Sequence, residues 1–319
     1  IEHKVSLYYA SYTDSAAIER AGLAPLRAQM KRITAIGDVA ALARWQGEMQ
    51  GVIKTPLWLW GGFADFKDPT INRALVMQGG LGLPDRDYYL KTDDVQMAAA
   101  RTAYLHYLGS LASLAGMTHP TKVAERVFAL EQKLAQAHTP AAQAMNPSAV
   151  RAMTAREAGA AMPGFDWNAY YQGARIGAGQ ALNIVQPDTA KASAALMIEL
   201  PLEDWKLYFV MRIIDEAAPV LPAAFRAAHF AFHGKALAGR SEPLPRAEQG
   251  VQQVSEVMGD AMSRLYVARY FPAADRQRAT QMVANLMATA REAVDGMTWM
   301  DPATHAEARK KMAGYKAKI

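Results

Sequence analysis

The sequence has no cysteine among its 319 residues. Disulfides, thiolate metal ligands and cysteine nucleophiles are therefore excluded, although this absence does not assign a redox compartment. No apolar run reaches about 18 residues, so no membrane-spanning helix is predicted.

Lys and Arg number 35 against 30 Asp and Glu, and the basic residues are dispersed apart from a short cluster near the end. Nucleic acid is not an expected partner, because its binding would need a basic stripe interleaved with aromatic side chains.

Most of the sequence has the apolar periodicity of α-helices. Tyr104, Leu108 and Leu111 mark one face of a helix that is predicted to begin after Asp94 and to end at Gly116. Further helix signals are the capping box from Thr154 to Glu157, the Asp301-Pro302 start of a final helix, and two amphipathic stretches, Val251 to Leu265 and Met282 to Val294.

Strand signals are few. The segments "TPLWLWGGFADF" and "INRALVMQ" flank the turn-like "KDPT" and predict a β-hairpin, and "ALNIVQP" predicts one more short strand. The loops at Thr139 to Pro147 and Gly239 to Pro245 are predicted to be the main sites of proteolysis, and neither is interpreted as a domain boundary. The predicted fold class is mainly α, a large helical domain with a small β-hairpin near the N-terminus.

The segment "HFAFH" is the strongest candidate for a metal site. His229 and His233 are four residues apart, so on a helix both imidazoles could reach one zinc ion. Glu256 and Asp260 follow in "EVMGD" and could supply a carboxylate ligand and its helper.

The competing interpretation of "HFAFH" is structural. A zinc peptidase needs a glutamate directly after the first histidine, and that position is Phe230, which can neither polarise nor deprotonate water. Phe225 and Phe232 are predicted to be core residues, and Gly234 is predicted to cap a helix that ends with His233. This interpretation is favoured, so no metal ligand and no catalytic residue is assigned in this chain, and the substrate-binding residues remain unknown.

Other candidate motifs are incomplete. The loop from Gly79 to Leu90 lacks the third glycine of a dinucleotide loop and is predicted to be a structured loop in which Arg86 and Asp87 form pairs. Adjacent carboxylates point apart on a helix, so Glu203-Asp204 and Asp215-Glu216 are predicted to be solvated surface. Surface or capping roles are expected for the remaining histidines, which are His3, His106, His119, His138 and His305. The residues by themselves show no complete catalytic set.

Several longer blocks follow one another along the chain. They are "GLGLPDRDYYL", "FDWNAYY", "DWKLYFVMRIIDEAAPVL", "FAFHGKALAG", "SRLYVARYFP" and "VDGMTWMDPAT". In this order, the blocks resemble the neprilysin family of zinc metallopeptidases. These blocks extend over nearly the whole chain.

The resemblance implies a two-lobed enzyme in which a catalytic lobe and a mostly helical lobe enclose a cavity that admits short peptides. Residues 1–319 are expected to be the N-terminal helical lid lobe. The family's N-A-F-Y, H-E-x-x-H and E-x-x-x-D motifs, and the zinc they bind, are expected in a catalytic lobe outside this chain. The implied partners are that lobe and peptide substrates, and the implied location is periplasmic or extracellular, in a bacterial-type member.

An alternative from another class stays open at this point. A helical binding or scaffold protein could retain the lid without the catalytic half. The chain alone is predicted to hydrolyse nothing in either case.

Overall fold

The structure is a computed structural model that describes residues 1–53, 57–177, 179–317 and 319. Helices dominate it, which confirms the predicted mainly α class. They are α1 (Glu2–Thr13), α2 (Ser15–Ala21), α3 (Ala24–Thr34), α4 (Val39–Glu48), α5 (Asp87–Leu90), α6 (Val95–Leu114), α7 (Pro120–Ala137), α8 (Ala155–Ala161), α9 (Trp167–Gly173), α10 (Pro187–Glu199), α11 (Leu202–Ala217), α12 (Ala223–His229), α13 (Arg246–Val257), α14 (Gly259–Tyr270), α15 (Ala273–Asp295) and α16 (Pro302–Gly314). A π-helix, Phe230–Leu237, continues directly from α12.

The predicted helix starts are confirmed by their capping bonds. Asp94 accepts a hydrogen bond from the Met97 amide and begins α6. Thr154 and Glu157 form both bonds of the capping box at the start of α8. Such caps satisfy amide groups that the first turn of a helix leaves without partners, which is why a short sequence motif predicts them well.

The strands form one four-stranded sheet in the order β1-β2-β4-β3. The predicted hairpin is confirmed by β1 (Trp58–Ala64) and β2 (Asn72–Gln78), which pair antiparallel. Thr55 and Pro56, at the start of the predicted segment, lie outside the described residues. The predicted short strand is also confirmed, as β4 (Leu182–Ile184), and it pairs parallel with β2. The sequence did not predict β3 (Arg151–Met153), which is only three residues long and depends on β4 for its pairing.

The chain divides into two compact units. One consists of residues 14–243, and the other combines residues 1–13 with residues 244–319. The interpretation of the loop from Gly239 to Pro245 as lying within a domain is therefore wrong, because the chain passes from one unit to the other between Pro243 and Leu244. This boundary depends on contacts between the two chain ends, which no local pattern shows.

The 14–243 unit has a continuous core rich in aromatic residues. Trp58, Trp167 and Trp205 are all fully buried in it. Close packing of α4 on α9 requires glycine, since a Cβ on Gly47 would lie 2.1 Å from the Tyr170 carbonyl oxygen. Helices α6, α7 and α11 pack together in the same core, and they also bury polar residues, Glu131 on α7 and Arg212 and Asp215 on α11.

The second unit joins the N-terminal helix to the last part of the chain. The Arg246 guanidinium lies 3.6 Å from the centre of the Tyr12 ring and donates to the Tyr12 carbonyl oxygen, and together these contacts connect α1 to α13. In α14, α15 and α16, whose residues are all described, none is buried. Several large apolar side chains are instead more than half exposed, namely Tyr266, Tyr270, Met282 and Leu286 in these helices and Trp299 in the segment between α15 and α16.

Candidate functional site

His229 and His233 lie side by side in the 14–243 unit. Their rings stack with 4.3 Å between centroids and an angle of 29° between planes. The predicted cap at Gly234 is wrong, because the helix continues as the π-helix to Leu237 and the left-handed residue is Gly239, with φ of 66°. Gly234 has a different role, since a Cβ there would lie 2.3 Å from the ring of Phe230.

The neighbouring aromatic residues behave as predicted. Phe225 and Phe232 are buried in the core, and Phe232 stacks on Tyr107 with 5.0 Å between ring centroids. The two histidines are only half-buried. The "HFAFH" segment therefore directs its phenylalanine Phe232 into the core and presents its histidines elsewhere.

Asp215 connects His233 to a buried polar network. Its Oδ1 accepts a hydrogen bond of 2.6 Å from the Tyr107 hydroxyl and lies 3.3 Å from His233 Nε2. Its Oδ2 accepts from Arg212 at 3.1 Å. The prediction that Asp215 is solvated surface is wrong, because α11 packs against α3, α6 and α7 and every residue from Tyr208 to Asp215 is buried.

The other predicted carboxylate pair does lie at the surface. Glu203 is exposed and forms an ion pair with Lys206, and Asp204 pairs with Arg126 on α7. Both pairs lie near the start of α11, where acidic residues also interact well with the helix dipole. They are not part of the buried network.

Glu131 is the second buried carboxylate of the network. It accepts hydrogen bonds from Tyr89 at 2.7 Å and from Tyr104 at 3.0 Å, and it lies 3.8 Å from Arg212. The sequence interpretation missed Glu131, although it stands on the apolar face that Val127, Leu130 and Leu134 mark on α7. A charged residue on an apolar helix face was the available signal.

The network holds the loop from Gly79 to Leu90. The Tyr89 hydroxyl accepts hydrogen bonds from the amides of Gly82 and Leu83 while it donates to Glu131. A Cβ on Gly82 would lie 1.8 Å from the Tyr104 hydroxyl, so only glycine fits at this position. This confirms a structured loop, with glycine needed for close approach to the core.

Arg86 and Asp87 were both predicted to form pairs, and they bind different kinds of partner. Asp87 forms an ion pair with Lys91 at 2.8 Å, while Arg86 donates to the carbonyl oxygen of Ala135 and not to a carboxylate. Next to this loop, His138 is buried and its Nε2 lies 3.0 Å from the Gly79 carbonyl oxygen, so a surface role is wrong for His138.

The two buried carboxyl groups of the network, Glu131 and Asp215, have very different pKa values. Burial raises the pKa of Glu131 to about 7, against the opposing effect of Arg212. Burial would also raise the pKa of Asp215, but the hydrogen bond from His233 and the charge of Arg212 lower it to about 2. Burial together with the nearby His233 lowers the pKa of His229 to about 4. Asp215 is thus ionised and His229 is neutral near pH 7.

A cavity of about 380 Å³ opens beside these groups, entirely within the 14–243 unit. The Gly79–Leu90 loop forms one wall and α11 with the π-helix forms the other. The lining residues are Leu81, Gly82, Leu83, Pro84, Arg212, Asp215, Glu216, His229, His233 and Leu237.

The predicted carboxylate ligands lie elsewhere in the chain. Glu256 is in α13 and Asp260 is in α14, and both belong to the other compact unit. Among the described residues, no group of three or more His, Asp and Glu side chains is arranged to hold a metal ion. The residues around "HFAFH" do not fit a hydrolytic zinc centre, because Phe230 occupies the glutamate position and, within the described part of the chain, no third ligand accompanies the histidines.

The polar network does not identify a protein family, but comparison with known proteins does. All 319 residues match the N-terminal model of peptidase family M13. Human endothelin-converting enzyme 1 is 23% identical over 335 aligned residues, and the match covers 98% of this chain and 43% of that enzyme. The chain thus spans less than half the length of this relative.

Solved structures agree on both the fold and the partial coverage. The zinc metalloprotease Zmp1 of Mycobacterium tuberculosis, in an inhibitor complex, is 31% identical with a TM-score of 0.87, covering 96% of this chain and 47% of that one. PepO from Lactobacillus rhamnosis is 18% identical with a TM-score of 0.80, covering 99% and 51%, and shows the same fold. Since the family model matches from the first residue to the last, the chain belongs to peptidase family M13, and it corresponds to the family's N-terminal region.

Proposed function

We propose that residues 1–319 form the non-catalytic, lid-bearing region of a zinc metalloendopeptidase that hydrolyses short peptides in an enclosed cavity. The observation that carries this proposal is the full-length match to the N-terminal model of family M13, in a chain that spans about half of its relatives. Zinc and its ligands would come from the part of the enzyme outside these residues. Zinc bound there would polarise the attacking water and the peptide carbonyl.

The role of this region is to enclose the substrate. Zmp1 has been solved in an open state and in a partial open state, and this chain matches those structures with TM-scores of 0.83 and 0.73. A relative at 32% identity that opens to different extents supports a lid that admits substrate and then restricts its size. The 14–243 unit has the continuous core that a lid needs in order to move as one body.

The helices α14, α15 and α16 are proposed to contact the remaining part of the enzyme. The exposed Tyr266 and Leu286 in these helices, and Trp299 between α15 and α16, would be costly to leave in water, and the relatives have a second half that could cover them. In the complete enzyme, replacing Trp299 by Arg is expected to lower the yield of folded enzyme. The same change in the 1–319 chain should leave its stability within about 0.5 kcal/mol of the parent, since no packing is lost.

The main test is a hydrolysis assay with a quenched fluorescent peptide and added Zn²⁺. The 1–319 chain alone is expected to show no cleavage, whereas the protein from the complete reading frame should cleave the peptide and lose activity with a chelator. The control is the complete protein with the glutamate of its H-E-x-x-H motif changed to glutamine. Zinc-dependent cleavage by residues 1–319 would contradict the proposal, and a reading frame that ends at Ile319 would favour the scaffold alternative.

A second assay tests the lid itself. Peptides that share one scissile bond but increase in length should be cleaved with steadily lower kcat/KM once they no longer fit the cavity. An enzyme without an enclosing lid would show no such dependence on length.

We also propose that the enzyme works in the periplasm or outside the cell, which is supported by its family alone. No helix in the described part of the chain is long and apolar enough to cross a membrane. Fractionation of the source cells, with the protein detected by antibody, checks this proposal, and recovery only with cytoplasmic markers would contradict it.

A further inference from the structure

The two edges of the sheet differ in how they are protected against further pairing. Strand β3 forms one edge, and it is only three residues long and begins with Arg151. Strand β1 forms the other edge over seven residues, none of which is charged or proline, and it pairs with β2 without a bulge. Short length, a charge, a proline or a bulge usually protects an edge strand, because its main-chain groups can otherwise pair with another strand. The β1 edge lacks this protection.

The hydrogen-bond pattern shows which main-chain groups of β1 point away from β2. The carbonyl oxygen of Val76 accepts from the Val185 amide, so Val76 bonds toward β4, and Trp60 opposite it is not bonded to β2. Residues of an antiparallel strand alternate in this respect, so Gly62 and Ala64 also direct their N–H and C=O groups outward. Within the described part of the chain, no hydrogen bond reaches the outward groups of these three residues.

The outer part of β1 is open to a partner strand. Gly62, Phe63 and Ala64 are exposed, and Phe63 exposes 58% of its surface. Among the described elements, β2 is the only one that packs extensively on β1. No atom lies within 4 Å of the position that a Cβ on Gly62 would take. Glycine inside a strand often marks the close approach of another backbone, and β1 has two in succession, Gly61 and Gly62.

The side chains of this stretch are complementary to a second copy of themselves. When two β1 strands run antiparallel with Gly62 facing Gly62, the outward groups of both strands meet in one hydrogen-bonded register. This register places Trp60 opposite Ala64 and Gly61 opposite Phe63, so each bulky side chain faces a small residue. In its own strand the Phe63 ring already fills the space above Gly61, where a Cβ would lie 2.3 Å from it. Like charges do not meet, because β1 carries none.

We propose that β1 pairs antiparallel with β1 of a second copy of this chain, about a two-fold axis at Gly62. The pairing joins the two four-stranded sheets into one continuous sheet. A two-fold interface needs a surface that is complementary to itself, and the match of bulky with small residues on both sides of Gly62 supplies it. The pairing is independent of the proposed peptidase activity, since it uses only the sheet of the 14–243 unit.

The first experiment is sedimentation velocity of the 1–319 chain over a wide range of concentration, and a reversible dimer is expected. Gly62→Pro should weaken dimerisation by more than about ten-fold, because each copy loses an inter-strand N–H bond and the ring obstructs the facing strand. The Gly62 N–H points away from β2, so this proline leaves the β1-β2 ladder intact. Gly62→Ala is the matched control, since it keeps the N–H and its Cβ has room, and it should dimerise as the parent does.

The second experiment needs no variant and identifies the surface that pairs. Amide hydrogen exchange of the parent chain, followed by NMR, should show that the amides of Trp60, Gly62 and Ala64 become protected as the dimer forms. A chain that stays monomeric at every concentration would overturn the proposal. So would a dimer in which the Gly62 amide exchanges as fast as in the monomer, because another surface would then hold the copies together. Protection of these amides in a monomer would assign the edge to another segment and would also overturn it.

Discussion

The two compact units use similar helices in opposite ways. In the 14–243 unit, α11 buries every residue from Tyr208 to Asp215, charged ones included. In the other unit, α15 is 23 residues long and none of its residues is buried. Both helices carry apolar residues at helical spacing, so periodicity alone does not tell a core helix from one that exposes its apolar face. The difference is therefore one of burial: the first unit encloses its apolar side chains, whereas α15 in the second leaves them exposed.

The largest expected effect comes from comparing two tryptophan substitutions, one in each unit. Trp205 is fully buried, so Trp205→Ala is expected to lower the free energy of unfolding by about 3–5 kcal/mol through lost burial and the cavity left behind. Trp299 is 74% exposed, so Trp299→Ala should change it by less than about 0.5 kcal/mol. Urea unfolding followed by far-ultraviolet circular dichroism measures both values. Equal effects at the two positions would contradict the assigned difference between the units.

The next test compares a buried with an exposed ion pair on the same helix. Asp215→Ala leaves the Arg212 guanidinium buried beside Glu131 alone, and we expect a loss of about 3 kcal/mol in unfolding free energy. Asp204→Ala removes the surface partner of Arg126 and should cost less than about 1 kcal/mol. Urea unfolding at pH 7 checks both. If Asp204→Ala lowered the unfolding free energy as much as Asp215→Ala does, the buried ion pair would contribute no more than the exposed one.

The smallest effect concerns pH and Glu131. Its folded pKa of about 7 lies above its ordinary value of 4.5 because burial disfavours the charged form. The stability contributed by Glu131 is therefore fully present below pH 4.5 and is lost as the pH rises through about 7. Relative to Glu131→Gln, the parent chain should lose roughly 1–3 kcal/mol between pH 5 and pH 8.

The control for this titration lies on the same helix. Glu125 is exposed on α7, so the difference in unfolding free energy between Glu125→Gln and the parent should stay constant across the same pH range. Unfolding free energies at several pH values measure the two differences. A difference between the parent and Glu131→Gln that stays constant with pH would show that Glu131 does not titrate in this window.

The parts of the fold that were predicted correctly depend on neighbours in sequence. The caps at Asp94 and Thr154 act within one helical turn, and the β1-β2 hairpin is formed by adjacent segments. The errors depend on distant partners. Asp215 looked like surface because its burial requires Tyr107, which lies 108 residues away along the chain.

The histidine pair illustrates the same limit within one short segment. The spacing of His229 and His233 correctly predicted that the two side chains share a face. The continuation of the helix past Gly234 could not be predicted, because glycine is a common helix end and only the packing of Phe230 against Gly234 explains its presence inside the helix.

The sequence by itself determined the helical class, the local caps, the hairpin and, through its ordered blocks, the family. Each of these depends on residues close together in the chain or on a pattern that the order of residues preserves. The tertiary structure alone decided which charges are buried, where the chain divides into units, and that Asp215, His229 and His233 line one cavity. These features depend on the desolvation of groups that meet only after folding, and desolvation has no signature in the order of residues.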